Sequence, residues 1–408
     1  MKILIITQYF WPEDFRINEL VEDFSNKGYK ISVLTGEPNY PEGYLFKEYR
    51  EDKRSFSSFS GCDIKRLPVI PRGSTRLTLF LNYLSFVLYS SIYGIFKYSK
   101  KDFDAIFVFE PSPITVCLPA IFIRSKTRIP VILWVLDLWP QSLTAVKLIK
   151  TDSVVFRVIE RLVEFIYRNC DLILGQSPSF VNEIKSKISD EEKVKFFPNW
   201  CESTYLSKSP VYAEEIEQND EIFKVIFAGN IGEAQDFPTI LSAIENLTHD
   251  SRVHLYIIGD GRKLEWVKKE VKLKKIQSRV HILGRYPSSR MNDFFLHADA
   301  LLVSLKKDPI FDITIPGKLQ SYLASAKPII AVLNGEGKRV INESRSGLVV
   351  EPGNIVGLTE AFNKMSLLKK IEIELMGRNG LNYAEKYFNK ETTLKLLESW
   401  LKNLTSLS

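Results

Sequence analysis

Short apolar runs rich in β-branched residues recur along this chain, each followed by a stretch of helical periodicity, and the whole rhythm occurs twice. The first series is Lys2–Thr7, Tyr29–Leu34, Ile64–Leu67, Ala105–Phe109, Val131–Leu136 and Leu172–Leu174. The second is Lys224–Ala228, Val253–Ile258, Val280–Leu283, Ala300–Val303, Ile329–Val332 and Leu348–Val350. Strands that are apolar throughout and alternate with helices are buried on both faces, as in parallel sheets. The pattern therefore predicts an α/β chain of two Rossmann-like domains in tandem. A length of 408 residues agrees, since it exceeds what one core usually supports. The polar stretch Cys201–Glu221 separates the two series, and Pro198-Asn199 opens the linker. We assign residues 1–200 to the first domain, 201–385 to the second and 386–408 to a terminal helix. The sequence does not fix where that helix docks; the first domain is one candidate. In such sheets ligands sit beyond the carboxyl ends of the strands, so strand-end loops facing one cleft are where chemistry is expected.

The net charge of +6 is modest and dispersed, so it suits an anionic small molecule or a membrane surface at least as well as nucleic acid. Cys62, Cys117, Cys170 and Cys201 lack CxxC spacing, which argues against a zinc site and a disulfide framework. His249, His254, His281 and His297 lack helical metal-ligand spacing, so no metal site is expected. The opening MKILIITQYF reads as a first strand rather than a cleavable signal, and the chain reads as cytoplasmic.

Leu77–Phe96 carries no charge, and Arg72, Arg76, Lys97, Lys100 and Lys101 flank it. It is long enough to span a bilayer. Thr78, Asn82, Ser85, Tyr89 and Tyr93, however, recur at steps of three and four and form a weakly polar helical stripe. A span would also put the neighbouring strands on opposite sides of the membrane. The favoured reading is a helix lying on the membrane with basic flanks toward anionic lipid; a buried core helix is the alternative.

After the first strand, Thr7-Gln8-Tyr9-Phe10-Trp11-Pro12 contains no glycine, so the dinucleotide fingerprint is missing where a dehydrogenase carries it. In the second half, Gly229-Asn230-Ile231-Gly232, Gly259-Asp260-Gly261-Arg262 and Gly284-Arg285 each end a strand. Their amides could receive a phosphate, although each could equally be a tight turn. The sharpest segment is Ile315-Pro316-Gly317-Lys318-Leu319-Gln320-Ser321, a helix entrance whose first turn carries a lysine against the helix dipole. A bound anion would remove that conflict. In the first half, Glu110 and Asp137 end adjacent strands and could orient a sugar hydroxyl; a salt bridge and a helix cap are the plainer roles. Arg16, Asn18, Asn39 and Tyr40 share that rim and are acceptor-contact candidates, or ordinary loop residues.

Taken together, Gln8-Tyr9-Phe10, Pro38-Asn39-Tyr40-Pro41, Glu110-Pro111-Ser112-Pro113, Asp137-Leu138-Trp139-Pro140, Phe197-Pro198-Asn199, Gly229-Asn230-Ile231-Gly232, Gly259-Asp260-Gly261-Arg262, Ser304-Leu305-Lys306-Lys307 and Pro316-Gly317-Lys318 resemble retaining glycosyltransferases of family 4. The particular branch is the N-acetyl-L-fucosaminyltransferase-like enzymes of O-antigen and capsule synthesis. The resemblance implies the GT-B fold and transfer of a sugar from a UDP-sugar to a polyprenyl-diphosphate-linked saccharide at the cytoplasmic face of the inner membrane. The donor would bind the second domain through Gly229, Asn230, Gly232, Gly259, Asp260, Gly261, Arg262, Arg285, Lys306, Pro316, Gly317 and Ser321. The acceptor would bind the first. No cofactor besides the donor substrate is expected, and no nucleic acid.

Departures from the family pattern matter. Its pair of glutamates seven residues apart would fall at Ile313 and Ser321, and its diphosphate-binding arginine and lysine near Asn230 and at Gln235 or Asp236. Its first-domain histidine is replaced by Phe109 or in the Asp137 region. The departing nucleoside diphosphate still needs a preorganised cation. Lys318 with the Gly317 amide is the first choice, Lys306 the second, and the Gly229–Gly232 loop supplies further donors. The implied mechanism is same-face substitution through an oxocarbenium-like state, the departing phosphate oxygen taking the acceptor proton. A sugar-nucleotide 2-epimerase of the same architecture and a non-catalytic sugar-nucleotide-binding scaffold are the rival readings.

Overall fold

The structure, a computed structural model, describes residues 1–41, 43–73, 75–145, 147–201 and 211–406; Glu42 and residues 202–210 of the expected linker lie outside them. Contacts divide the chain into two units, Met1–Phe197 joined by the chain from Leu394 on, and Pro198–Thr393. The divisions thus fall a few residues from those expected at 200 and 385. The second core explains the later one: Ala384 and Phe388 are buried in it with Tyr322 and Leu323. A Cβ at Gly377 would lie 2.0 Å from the Ala326 carbonyl oxygen, so helix Lys370–Tyr387 stays with the second unit. The next helix, Lys390–Ser406, buries Leu394, Leu397 and Leu401 and sets Trp400 edge-on to Phe197 of the first unit.

In the first unit the strands are β1 (Lys2–Ile6), β2 (Lys30–Gly36), β3 (Ser58–Phe59), β4 (Cys62–Leu67), β5 (Ala105–Glu110), β6 (Val131–Val135), β7 (Leu172–Gly175) and β8 (Val194–Phe196). They lie in the order β3-β4-β2-β1-β5-β6-β7-β8, parallel except for β3 against β4. The six strands expected here are present; β3 and β8, of two and three residues, are too short to leave a periodic signal. Ile3 pairs with Ile31 on one side and Ala105 on the other. The strand order therefore reverses at β1, and the loop beginning at Thr7 opens at a topological switch point.

The second unit contains β9 (Phe223–Ala228), β10 (Val253–Ile258), β11 (Val280–Gly284), β12 (Ala300–Ser304), β13 (Ile329–Val332) and β14 (Gly347–Val350), ordered β11-β10-β9-β12-β13-β14 and all parallel. These are the six strands expected from the sequence. Here the order reverses at β9, which puts Gly229 at the switch point. Phe227, Val225, Leu255 and Leu302 fill the core on one face of this sheet, and Ile226, Ile258, Leu301 and Tyr322 fill it on the other.

Helix Arg76–Lys97 is capped by Thr75, whose hydroxyl accepts from the Thr78 amide. Its burial is inverted relative to ordinary amphipathicity. Asn82, Ser85, Ser90 and Ser91 are buried, whereas Leu77, Phe80, Leu84, Leu88, Ile92 and Phe96 are exposed. The steps of three and four place these six on one stripe. Asn82 is satisfied inside the unit: its Oδ1 accepts from Gln8 Nε2 at 2.7 Å and its Nδ2 donates to the Ile70 carbonyl at 2.6 Å. At Gly94 the helix approaches helix Leu118–Thr127 closely, for a Cβ there would lie 2.4 Å from Ile123 Cδ1. The buried-core alternative is thereby corrected, since one face packs and the opposite apolar face does not. The polar stripe divides as well, with Asn82 and Ser85 turned inward and Tyr89 outward.

Candidate active site

In the second unit, the helix Gly317–Ala324 begins after Pro316. Four residues past Lys318, on the same face, Tyr322 pins the helix to the end of β9: its hydroxyl accepts from the Ala228 amide at 2.8 Å and donates to the Ala228 carbonyl at 3.2 Å. One turn nearer the start, the Lys318 side chain is carried beneath the loop that follows Ala228. Its ammonium sits 3.7 Å from the centroid of the Phe227 ring, buried, with no hydrogen-bond partner. Burial pushes its pKa down to about 7. A Cβ at Gly229, where φ is +132°, would lie 3.0 Å from that nitrogen, so glycine both permits the backbone turn and leaves room for the cation. Gly259, at φ +148°, passes so close that a Cβ would fall 1.9 Å from the Gly229 carbonyl oxygen.

The strand-end loops are stitched into one rim. Ile231 N donates to the Asp260 carbonyl (2.8 Å), Gly259 N to that of Gly284 (2.7 Å) and Lys306 N to that of Ala234 (2.8 Å). The sequence-predicted Gly229, Asn230, Gly259, Asp260, Gly261, Lys306, Gly317 and Lys318 thus belong to one neighbourhood, with Arg262 and Arg285 exposed beside it. One expectation is corrected. The Gly229, Ile231 and Gly232 amides are not available to a phosphate, because they donate to Ile258 O, Asp260 O and Gln235 Oε1. The glycine loop shapes the floor. The helix start, whose first amides lack intrahelical partners, and the Lys318 ammonium are the unengaged donors here, and the space where a Gly317 Cβ would project is open. Ser321 lies buried one turn into this helix.

In the first unit, the loops after β1 and β2 are clasped by a residue the sequence did not single out. Glu13 is buried, and its carboxylate accepts from the amides of Phe10 (3.1 Å), Asn39 (2.9 Å) and Tyr40 (2.7 Å). Burial raises its pKa to about 7 against those three donors. Asn39 and Asn18 are corrected from acceptor contacts to parts of this clasp, because both ends of each amide are engaged. Asn39 Oδ1 accepts from the Arg72 amide and its Nδ2 donates to the Glu37 carbonyl; Asn18 Oδ1 accepts from the Trp11 amide and its Nδ2 donates to the Glu13 carbonyl. Tyr40 remains half-buried, its ring against Tyr9 and Phe15. Arg16 is half-buried at the start of helix Arg16–Asn26.

Glu110 is corrected too. It is fully buried at the end of β5, its Oε2 accepts from the Asp137 amide at 3.3 Å, and burial, reinforced by the Asp137 charge, holds its pKa well above the carboxylate range. It positions Asp137 rather than touching a substrate. Asp137 is half-buried; its Oδ2 accepts from Trp139 Nε1 at 3.2 Å, and burial raises its pKa against hydrogen bonds from Ser142, Ser112 and Trp139. Of the two carboxylates, Asp137 alone presents surface to an incoming hydroxyl. Arg72 and Tyr83, the latter influenced by both Arg72 and Asp137, complete this neighbourhood. In the sequence Arg72 was legible only as a basic flank.

Two family models match: "glycosyl transferase 4-like domain" over residues 15–200 and "glycosyl transferases group 1" over residues 222–366. WbjE of Pseudomonas aeruginosa, described as a probable glycosyltransferase, is 30% identical over 267 residues, covering 62% of this chain and 65% of WbjE. WcaI of Escherichia coli (strain K12), named for colanic acid biosynthesis as a glycosyl transferase, is 24% identical over 97% of this chain and 98% of its own. Among solved structures, Alr3699/HepE of Anabaena in complex with UDP and glucose superposes with a TM-score of 0.70 at 12% identity, covering 99% of this chain and 100% of that one. The fold is GT-B, and the chain is a transferase. It belongs to the glycosyltransferases of the family 4 type.

Proposed function

We propose that the protein is a retaining glycosyltransferase of polysaccharide or lipopolysaccharide synthesis that moves a sugar, best assigned as N-acetyl-L-fucosamine, from a UDP-sugar to an undecaprenyl-diphosphate-linked saccharide at the cytoplasmic face of the inner membrane. The observation that carries the reading is the Lys318 ammonium, buried without a hydrogen-bond partner at a helix start. A buried cation lacking a counter-charge is costly, and a nucleoside diphosphate supplies that charge. As the glycosidic bond breaks, negative charge grows on the departing phosphate; Lys318 and the Gly317 amide oppose it without reorganising. In the first unit Asp137 accepts from, and so orients, the attacking hydroxyl. The UDP bound to HepE and the polysaccharide role in the name of WcaI support the donor and the setting. The exposed apolar stripe of helix Arg76–Lys97, which is long and apolar enough to cross a membrane, supports the lipid-linked acceptor and a monotopic attachment.

The test is turnover of a panel of UDP-sugars with a lipid-linked monosaccharide, with the product anomer determined. Transfer with retention is expected. Release of free or epimerised sugar would indicate the epimerase, and donor binding without turnover the scaffold.

A further inference from the structure

Arg72 lies just ahead of the apolar stripe of helix Arg76–Lys97 and is half-buried. Its guanidinium lies 5.1 Å from the centroid of the Tyr40 ring and 3.5 Å from the Tyr9 hydroxyl. The ionisable groups around it are the phenols of Tyr9, Tyr83 and Tyr40; among the described residues no carboxylate pairs with it. A half-buried guanidinium whose described neighbours are phenols has donors to give and, among the described residues, no anion to receive them. The backbone there is fixed, because the Arg72 amide donates to Asn39 Oδ1 at 3.0 Å and Asn39 is in turn held by Glu13. The group is therefore presented by a braced loop.

Two neighbours give the site a direction. Along the helix, Tyr83 is followed by Leu84 and preceded one turn earlier by Phe80, both exposed. Toward the strand ends, Tyr83 is within electrostatic reach of both Arg72 and Asp137. An apolar track, a cation and a carboxylate thus share the surroundings of Tyr83 in this unit. That is the sequence of features in an isoprenoid diphosphate sugar: hydrocarbon, phosphoryl groups, hydroxyls.

We infer that Arg72, braced by Tyr9 and joined by the Tyr83 hydroxyl, forms a phosphoryl subsite for an isoprenoid diphosphate, whose chain lies along Leu77, Phe80 and Leu84 and whose sugar reaches Asp137. The inference rests on the proposed acceptor class and names the residue that recognises it. Arginine suits the task, because its planar fork matches two phosphate oxygens at once.

Binding of farnesyl diphosphate to the full-length protein, measured by calorimetry without nucleotide, tests this apart from turnover. Inorganic diphosphate, farnesol and dihexanoyl phosphatidylglycerol are run in parallel. Farnesyl diphosphate is expected to bind tightest, to weaken at least about tenfold in Arg72→Gln and to recover in part in Arg72→Lys, with melting temperatures reporting folding. Unchanged affinity in Arg72→Gln would overturn the assignment, as would a loss seen in Lys318→Ala instead, which would put the diphosphate in the second unit. Equal binding of inorganic diphosphate would remove the apolar track, and equal binding of phosphatidylglycerol would replace the diphosphate by a bilayer headgroup. A protein that binds farnesyl diphosphate through Arg72 yet transfers no sugar would leave the subsite standing and refute the proposed function.

Discussion

The Lys318 ammonium rests 3.7 Å from the centroid of the Phe227 ring, held there because Tyr322, one helical turn on, is bonded to both backbone groups of Ala228. The ring face offers partial compensation for a buried cation, but no anion. The arrangement holds a cation ready where the family's usual loop cations are missing.

Donor affinity should depend on pH through this group. Burial lowers the Lys318 pKa to about 7 in the free protein, and a bound diphosphate raises it, because opposite charge favours the ammonium. Affinity for UDP is therefore greatest below about pH 7 and falls as pH rises through 7, by at most about tenfold per unit. Calorimetry of UDP binding between about pH 6.5 and 9 measures the slope, which Lys318→Ala should abolish.

Gly259→Ala should destabilise the protein by about 1–3 kcal/mol, because φ is +148° and the new Cβ would meet the Gly229 carbonyl at 1.9 Å. Denaturant unfolding checks this, and UDP binding should weaken in the same variant because the floor beneath Lys318 is displaced.

Glu110 and Asp137 should separate cleanly. Glu110 is fully buried and its Oε2 only accepts from the Asp137 amide, a bond that a glutamine oxygen can also accept, so Glu110→Gln should keep kcat within about tenfold. Asp137→Asn should lower kcat by about 10²-fold, because the attacking hydroxyl loses the carboxylate that orients it. Steady-state kinetics with saturating donor distinguish the two.

Leu84→Glu with Leu88→Glu should release the protein from anionic vesicles with little change in melting temperature, since both side chains are exposed. Vesicle co-sedimentation and thermal unfolding read the two effects.

Much of the fold was legible because a buried parallel strand announces itself by composition alone, as Val253–Ile258 and Val131–Val135 do. The donor loops were legible as glycines at strand ends, but not the engagement of their amides, which depends on acceptors such as Ile258 O and Asp260 O in a neighbouring loop. Asn39 looked like a ligand contact because nothing local shows that Arg72 and Glu37 occupy its amide. Arg72 was hidden for a related reason: its partner Tyr9 lies 63 residues away, and only the sheet order brings the loops after β1 and β4 together. Asn82 was legible as part of a polar stripe, but its inward direction was not, because a polar residue on a helix is ordinarily read as facing water.

The most direct test of the account is the transfer rate of Lys318→Ala at saturating UDP-sugar and lipid-linked acceptor, measured beside its melting temperature. Loss of one preorganised charge donor at the departing phosphate predicts a fall in kcat of at least about 10²-fold with a melting temperature no lower than that of the wild type. A kcat within about threefold of wild type, in a folded protein, would contradict it.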